Sequence, residues 1–366
     1  MMNRRTFIRT GSAAVWATPV LAAVRADRLD AAAEVLARAT ADRRVDSAVL
    51  HVRRGQDVYA RHFGAIPSVD APFLLGSISK PVTAVALMTL FDRGDFRLDD
   101  LARRYLPEFD AGARGRVTVR QLLTHVSGLP DQLPENAALR SGHAPLSEFV
   151  KAAVRTPLLF DPGTKYSYSS MAILLASEIA RRISGSELPA LFDRAVFRPL
   201  GMGHSALGLG RMPLEGITRC QSEAAAPESG AGDPSAKSWD WNSAYWRNLG
   251  APWGGVHASA PDVSRLLTEI LNGDGKALRP ETARRMTRNH NPEGLTPRGL
   301  GWGIGAKTGG AGCSEATFGH TGSTGTIAWA DPRSKTVCVV LTTLPGAAVT
   351  PHPRAIASDL VAKAVS

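Results

Sequence analysis

The segments with strand-like patterning lie at the two ends of this 366-residue chain, and those with helical periodicity lie mainly between them. Near the start, residues 48–52 and 58–63 are short apolar runs joined by Arg54-Gly55-Gln56-Asp57, which reads as a hairpin turn. Near the end, strand-like runs at 301–305, 316–320, 326–330 and 336–343 are separated by turns at 309–312 and 331–334. Strand and helix do not alternate as a parallel βαβ sheet requires. The order predicts an α/β fold with one antiparallel β-sheet built from both ends and flanked by helices, plus an inserted mostly helical subdomain. Terminal helices at 27–43 and 354–364 would cover the sheet. The sheet subdomain is expected at about 27–76 and 299–366, and the helical subdomain at about 77–298.

Within the helical region, residues 81–91 form a strongly apolar helix. Thr118 is placed to cap another, which carries Val119, Leu122 and Leu123. A third, 171–183, ends at Gly185, a residue suited to the left-handed position that closes a helix. Residues 221–237 are rich in Ala, Gly, Pro and Ser and read as a surface loop.

The first residues form a separate unit. Arg4 and Arg5 precede a small-residue apolar run, and no acidic residue occurs before Asp27. This pattern predicts a twin-arginine export signal over 1–26 and a periplasmic or secreted location. Removing its four arginines lowers the formal net charge from +10 to +6. The remaining excess is scattered, with no basic run or aromatic-basic interleaving, so no nucleic-acid partner is expected. Beyond the N-terminus no stretch is apolar for the roughly 20 residues of a membrane span. Cys220, Cys313 and Cys338 form no CxxC, and the odd count leaves at least one free thiol. The nine histidines show no metal-ligand spacing, so neither a metal nor another cofactor is expected.

Three strings can carry chemistry. Gly76-Ser77-Ile78-Ser79-Lys80 ends an extended run and opens the 81–91 helix. Residues three apart on a helix share a face, so Lys80 comes within reach of the Ser77 hydroxyl. A serine is a weak nucleophile until a base is near it, and a lysine serves once burial or positive charge lowers its pKa. Asp161-Pro162-Gly163 makes a turn before Lys165-Tyr166-Ser167-Tyr168-Ser169-Ser170, where a tyrosine can present its phenol to a cavity. Phe318-Gly319-His320-Thr321-Gly322-Ser323 lies on a predicted strand, with glycines that permit close approach of a ligand or another backbone. Taken alone, the first string reads better as an ordinary helix start, the second as a packing tyrosine, and the third also fits a glycine-rich hairpin.

In this order, on helix start, turn-to-helix and late strand, the three resemble the serine β-lactamase and penicillin-binding superfamily. They are most similar to its class C-like esterases and D-aminopeptidases. Leu122-Leu123-Thr124-His125-Val126-Ser127-Gly128-Leu129-Pro130, Phe197-Arg198-Pro199-Leu200-Gly201-Met202 and Gly299-Leu300-Gly301-Trp302-Gly303 extend the resemblance over roughly residues 45–345. It implies that Ser77 is the acyl-enzyme nucleophile, Lys80 its proton acceptor, and Tyr168 the group that exchanges protons with serine and leaving group. It implies that His320, Thr321 and Gly322 stand for the Lys-Thr-Gly strand motif, that Ser323 gives an oxyanion N–H with Ser77, and that Ser170 borders the substrate.

Two residues depart from the family pattern. Ser170 stands where an asparagine is usual, and a hydroxyl cannot offer an amide's pair of donors. His320 stands where a lysine is usual, which replaces a fixed charge by a pH-dependent one. Both steer the expectation from penicillin towards an ester, amide or D-amino-acid peptide as the small-molecule acyl substrate. They also support a rival, a catalytically weak penicillin or cell-wall-peptide binding or sensor protein. His125 is expected to cap its helix, and Trp239, Trp241, Trp246 and Trp253 to pack in the core.

Overall fold

The computed structural model describes residues 17–366, with side chains from Arg28 onward. Among the described residues nine strands form two antiparallel sheets. They are β1 Ser47–Arg54, β2 Asp57–Gly64, β3 Phe73–Leu74, β4 Ala206–Leu207, β5 Val256–Ala258, β6 Gly303–Ile304, β7 Phe318–Gly322, β8 Thr326–Asp331 and β9 Thr336–Thr342. The large sheet has the order β2-β1-β9-β8-β7-β6, and the small one β3-β5-β4. The first strand therefore lies beside the last, with Ala48 opposite Thr342 and Arg54 opposite Thr336. The β1–β2 hairpin turns through Gly55 at φ +61°, the sign a two-residue loop needs to match strand twist.

Side-chain alternation along the strands splits the core in two. Val337, Val339 and Leu341 of β9 face one core, while Cys338 and Val340 face the other. On the second side they meet Leu36 and Ala39 of the helix Ala17–Ala41, and Ala357 and Val361 of the helix Pro353–Val365. On the first side they join a core that includes Val263, Leu266 and Ile270 of the helix Ala260–Asn272. With both faces covered, every residue of β9 is buried, which explains its continuous apolar run. The Trp329 indole N–H donates to Ser358 Oγ at 2.8 Å, and Ser358 donates to the Gly309 carbonyl at 2.6 Å. These bonds tie the C-terminal helix to β8 and to the loop after β6.

The helical region is organised around the helix Ser79–Arg93, apolar and buried over most of its circumference. The helix Ser170–Ser184 packs beside it and ends at Gly185, φ +63°. Thr118 caps the helix Val119–Leu123 in a reciprocal box with Gln121, as its position predicts. Two features were not foreseen. The small sheet lies partly inside residues 77–298, because strands of two or three residues are too short to show a period. The helix Ala260–Asn272, from the same stretch, packs on the large sheet. Residues 221–237 run through three short 3₁₀ turns and bury Ser222, Ser229 and Ala236.

Residues 1–16 of the expected export segment lie outside the described residues, and 17–26 belong to the first helix. No helix among the described residues is long and apolar enough to cross a membrane. All three cysteines are free thiols, Cys220 and Cys338 buried and Cys313 partly so.

Candidate active site

β3 leads to Gly76, whose φ of +56° turns the chain sharply into a 3₁₀ turn, Gly76–Ile78. A Cβ at Gly76 would sit 3.0 Å from Thr324 Oγ1 and 3.1 Å from Ser323 N, so glycine lets the turn press against the β7–β8 hairpin. Thr324 and Thr326 donate to the carbonyls of Leu74 and Leu75, each at 2.7 Å. Ser79 Oγ accepts the Val256 N–H at 2.9 Å. Ser77 is thereby held between the two sheets at the head of the helix Ser79–Arg93. The backbone N–H groups of Ser77 and Ser323 both lie beside Gly76 and meet no backbone acceptor among the described residues.

The 3₁₀ turn eclipses residues three apart, and Lys80 Nζ lies 2.9 Å from Ser77 Oγ. Lys80 is fully buried, and its other partner is the Trp253 carbonyl at 3.1 Å. Burial pulls its pKa from 10.5 down to about 7; Asp131 works against this and Arg298 adds to it. The Tyr168 ring lies 4.7 Å from Lys80 Nζ. Burial lifts the Tyr168 phenol above its usual range, with Ser77 and Arg298 pulling the other way. At neutral pH Tyr168 holds its proton, and Lys80 is close to half protonated.

Ser77, Tyr168, His320, Thr321 and Ser323 line one cleft of about 400 Å³, together with Arg298, Gly303, Lys307 and Thr308. β6 pairs only with Phe318 and Gly319 of β7, so among the described residues β7 has no partner strand on that side from His320 onward. Thr321 and Ser323 are exposed there. Two expected binding residues sit elsewhere. Ser170 is buried as the first residue of its helix, and its N–H donates to Asp131 Oδ1 at 2.8 Å. Gly322 faces the Leu75 carbonyl, which a Cβ would approach to 2.1 Å, so its role is to let β7 touch the Ser77 turn.

His320 also differs from expectation. Its Nδ1 is 2.6 Å from the Thr321 carbonyl and its Nε2 is 2.8 Å from Arg298 Nη2. The carbonyl can only accept and the guanidinium can only donate, so Nδ1 carries the proton and the ring is neutral. Burial, Arg298 and Lys80 all hold its pKa well below the usual histidine range. The fixed charge in this part of the cleft comes from Arg298, which the sequence reading passed over. Arg298 directly precedes the glycine-rich string that drew attention, and nothing in its spacing points to β7.

His125 buttresses the tyrosine segment instead of capping its helix. It is fully buried at φ +62°. Its Nδ1 accepts the Ser169 N–H at 3.2 Å, its carbonyl accepts the Ser167 N–H at 3.0 Å, and its ring centroid lies 4.6 Å from that of Tyr168. Trp241, Trp246 and Trp253 are buried, while Trp239 is only partly so.

The family model described as Beta-lactamase matches residues 32–363. The chain belongs to this family. Esterase EstB of Burkholderia gladioli is 32% identical over 320 residues, covering 78% of this chain and 79% of that protein. A putative D-alanyl-D-alanine carboxypeptidase of Escherichia coli K12 is 26% identical over 342 residues, covering 81% and 78%. Among solved structures, EstCE1, a hydrolase with promiscuous acyltransferase activity, superposes with a TM-score of 0.76 over 94% of this chain and 99% of that one, at 22% identity. A penicillin-binding protein homologue from Caulobacter crescentus gives 0.74 over 92% and 98%, at 23% identity. The β-lactamase-like fold expected from the sequence is the fold of this family.

Proposed function

We propose that the protein is an exported serine hydrolase that cleaves an ester, amide or D-amino-acid peptide through an acyl-enzyme on Ser77. The observation that carries this reading is the 2.9 Å contact between Ser77 Oγ and a Lys80 amine with a pKa near 7. When Lys80 is neutral its lone pair accepts the Ser77 proton across the same distance, and Oγ attacks the carbonyl carbon. The oxyanion is met by the N–H groups of Ser77 and Ser323, which have no competing backbone acceptor among the described residues. Tyr168 keeps its proton and passes it to the leaving group; Lys80 is placed to restore it. Water then attacks the acyl-enzyme and releases Ser77. The names of the relatives, an esterase and a putative carboxypeptidase, agree with ester or peptide chemistry.

The test is intact-protein mass after exposure to a fluorophosphonate, a short p-nitrophenyl ester and a penicillin, for wild type beside Ser77→Ala. Labelling by the fluorophosphonate and turnover of the ester, both lost in the variant, are expected, with no lasting penicillin adduct. A stable penicillin adduct on Ser77 would move the assignment to a penicillin-binding receptor or peptidase. Absence of any Ser77-dependent labelling would remove the catalytic reading.

A further inference from the structure

Lys80 is held by a second partner besides Ser77, and that partner is itself held. The helix Ala244–Leu249 ends at Gly250, and Ala251-Pro252-Trp253-Gly254-Gly255 leads from it into β5. The Ala251 carbonyl closes this turn by accepting the N–H groups of Gly254 and Gly255, at 3.0 and 2.6 Å. The next two carbonyls, of Pro252 and Trp253, are buried and accept no backbone N–H among the described residues. Side chains of the helix Ser79–Arg93 meet both of them. Thr83 Oγ1 donates to the Pro252 carbonyl at 2.6 Å, and Lys80 Nζ donates to the Trp253 carbonyl at 3.1 Å. Lys80 and Thr83 share a helix face, so they reach two successive peptide units. The Thr83 hydroxyl, 1% exposed, also lies 3.1 Å from the Ser79 carbonyl. It has one proton to give, and the shorter contact to Pro252 takes it. On its other side the turn is wedged by the Trp253 ring, whose centroid lies 5.9 Å from that of Phe149 and 6.3 Å from that of Trp246.

We propose that Thr83 is a positioning residue for acylation: its hydroxyl fixes the Pro252–Trp253 peptide, and the Trp253 carbonyl one peptide on aims the Lys80 amine at Ser77. This rests on the acyl-enzyme reading and adds to it how the base is oriented. A neutral amine has two N–H groups and one lone pair, and only the lone pair can take the Ser77 proton. Rotation about the Cε–Nζ bond decides which of them faces Ser77 Oγ. The Trp253 carbonyl can only accept, so it draws an N–H and repels the lone pair. Ser77 Oγ, 2.9 Å from Nζ, then meets the lone pair more often than a freely turning amine would allow. As the proton leaves Oγ for Nζ the amine becomes an ammonium, and the bond to Trp253 becomes charge-assisted. The carbonyl therefore contributes more in the transition state than before it, which is the condition for raising a rate.

The test is Thr83→Val, which keeps the branched shape and removes the hydroxyl, beside Thr83→Ser, which keeps the hydroxyl. Attack by Ser77 is read in two ways, as kcat/KM for p-nitrophenyl acetate and as the rate of fluorophosphonate labelling. Both are followed against pH and expressed per labelled active site, so an unfolded fraction does not enter. In Thr83→Val both are expected to fall about tenfold to a hundredfold on the alkaline plateau, the scale of a displacement of about an ångström at a reacting group. The acid limb of kcat/KM is expected to move to lower pH, because the Lys80 ammonium loses more from a misplaced acceptor than the neutral amine does. Thr83→Ser is expected to restore both the rate and the limb. A Thr83→Val protein that melts earlier yet keeps the wild-type rate and limb has lost only a structural bond, and the proposal is overturned. So it is by a loss of rate with the limb unmoved, or by a loss that Thr83→Ser fails to restore. A crystal structure of wild type with Thr83 Oγ1 out of reach of the Pro252 carbonyl overturns it without needing any variant to fold. Ester turnover that persists in Ser77→Ala would instead defeat the acyl-enzyme reading.

Discussion

Replacing Lys80 by methionine removes the base and, in the same step, a group whose burial opposes folding. Lys80 falls from 10.5 to about 7 on folding because the interior disfavours its charged form. Between those two values the unfolded chain binds the proton and the native protein does not, so wild-type stability rises with pH across that window and the contribution is lost below it. Each pH unit is worth about 1.36 kcal/mol for one proton. From pH 7 to pH 9.5 wild type should therefore gain roughly 3 kcal/mol from this group, after allowing for half-protonation at the lower limit. Lys80→Met keeps the volume, loses the bonds to Ser77 Oγ and the Trp253 carbonyl, and has no such slope. Urea unfolding of both proteins at several pH values gives the difference directly, and other titrating groups cancel because both proteins carry them. The advantage of the variant at neutral pH should shrink by about 3 kcal/mol by pH 9.5, while its ester turnover stays abolished throughout. A stability difference that does not change with pH would mean that Lys80 titrates normally, and the case for it as a base at neutral pH would fall with it.

The acid limb of the kcat/KM profile should report the same group. Asp131 raises the Lys80 pKa, so Asp131→Asn, which keeps an oxygen for the Ser170 N–H, should move that limb to lower pH; an unmoved limb would exclude Lys80 as its source. Gly322→Ala would drive a Cβ to 2.1 Å from the Leu75 carbonyl, at a cost of about 1–3 kcal/mol or more as overpacking. Thermal unfolding and fluorophosphonate labelling should both suffer, and a variant of normal stability and activity would refute the close approach. Ser358→Ala should lower stability by about 1–3 kcal/mol, because it leaves the buried Trp329 N–H without its acceptor. Urea unfolding measures this, and ester turnover by the folded fraction should be unaffected.

What could be read from the sequence was whatever depends on local pattern. The terminal strands, the Thr118 cap and the Gly185 stop each leave their signal within a few residues, and each stands where that signal put it. The Ser77–Lys80 contact was legible for the same reason, since a separation of three residues at a helix start brings the side chains together in any compact backbone. Groups brought in by long-range packing left no such trace. The Trp253 carbonyl reaches Lys80 across 173 positions, and Arg298 reaches His320 across 22. His320 shows the consequence. Taken alone, a histidine in place of lysine means a weaker, pH-dependent charge, and the sequence points away from a carboxylate substrate. With Arg298 beside it, the same histidine is held neutral as an acceptor and the guanidinium stands in the cleft in its place. The substitution in the motif and the arginine outside it make physical sense only as a pair. Replacing His320 by lysine would set two cations against each other where one now has a neutral support.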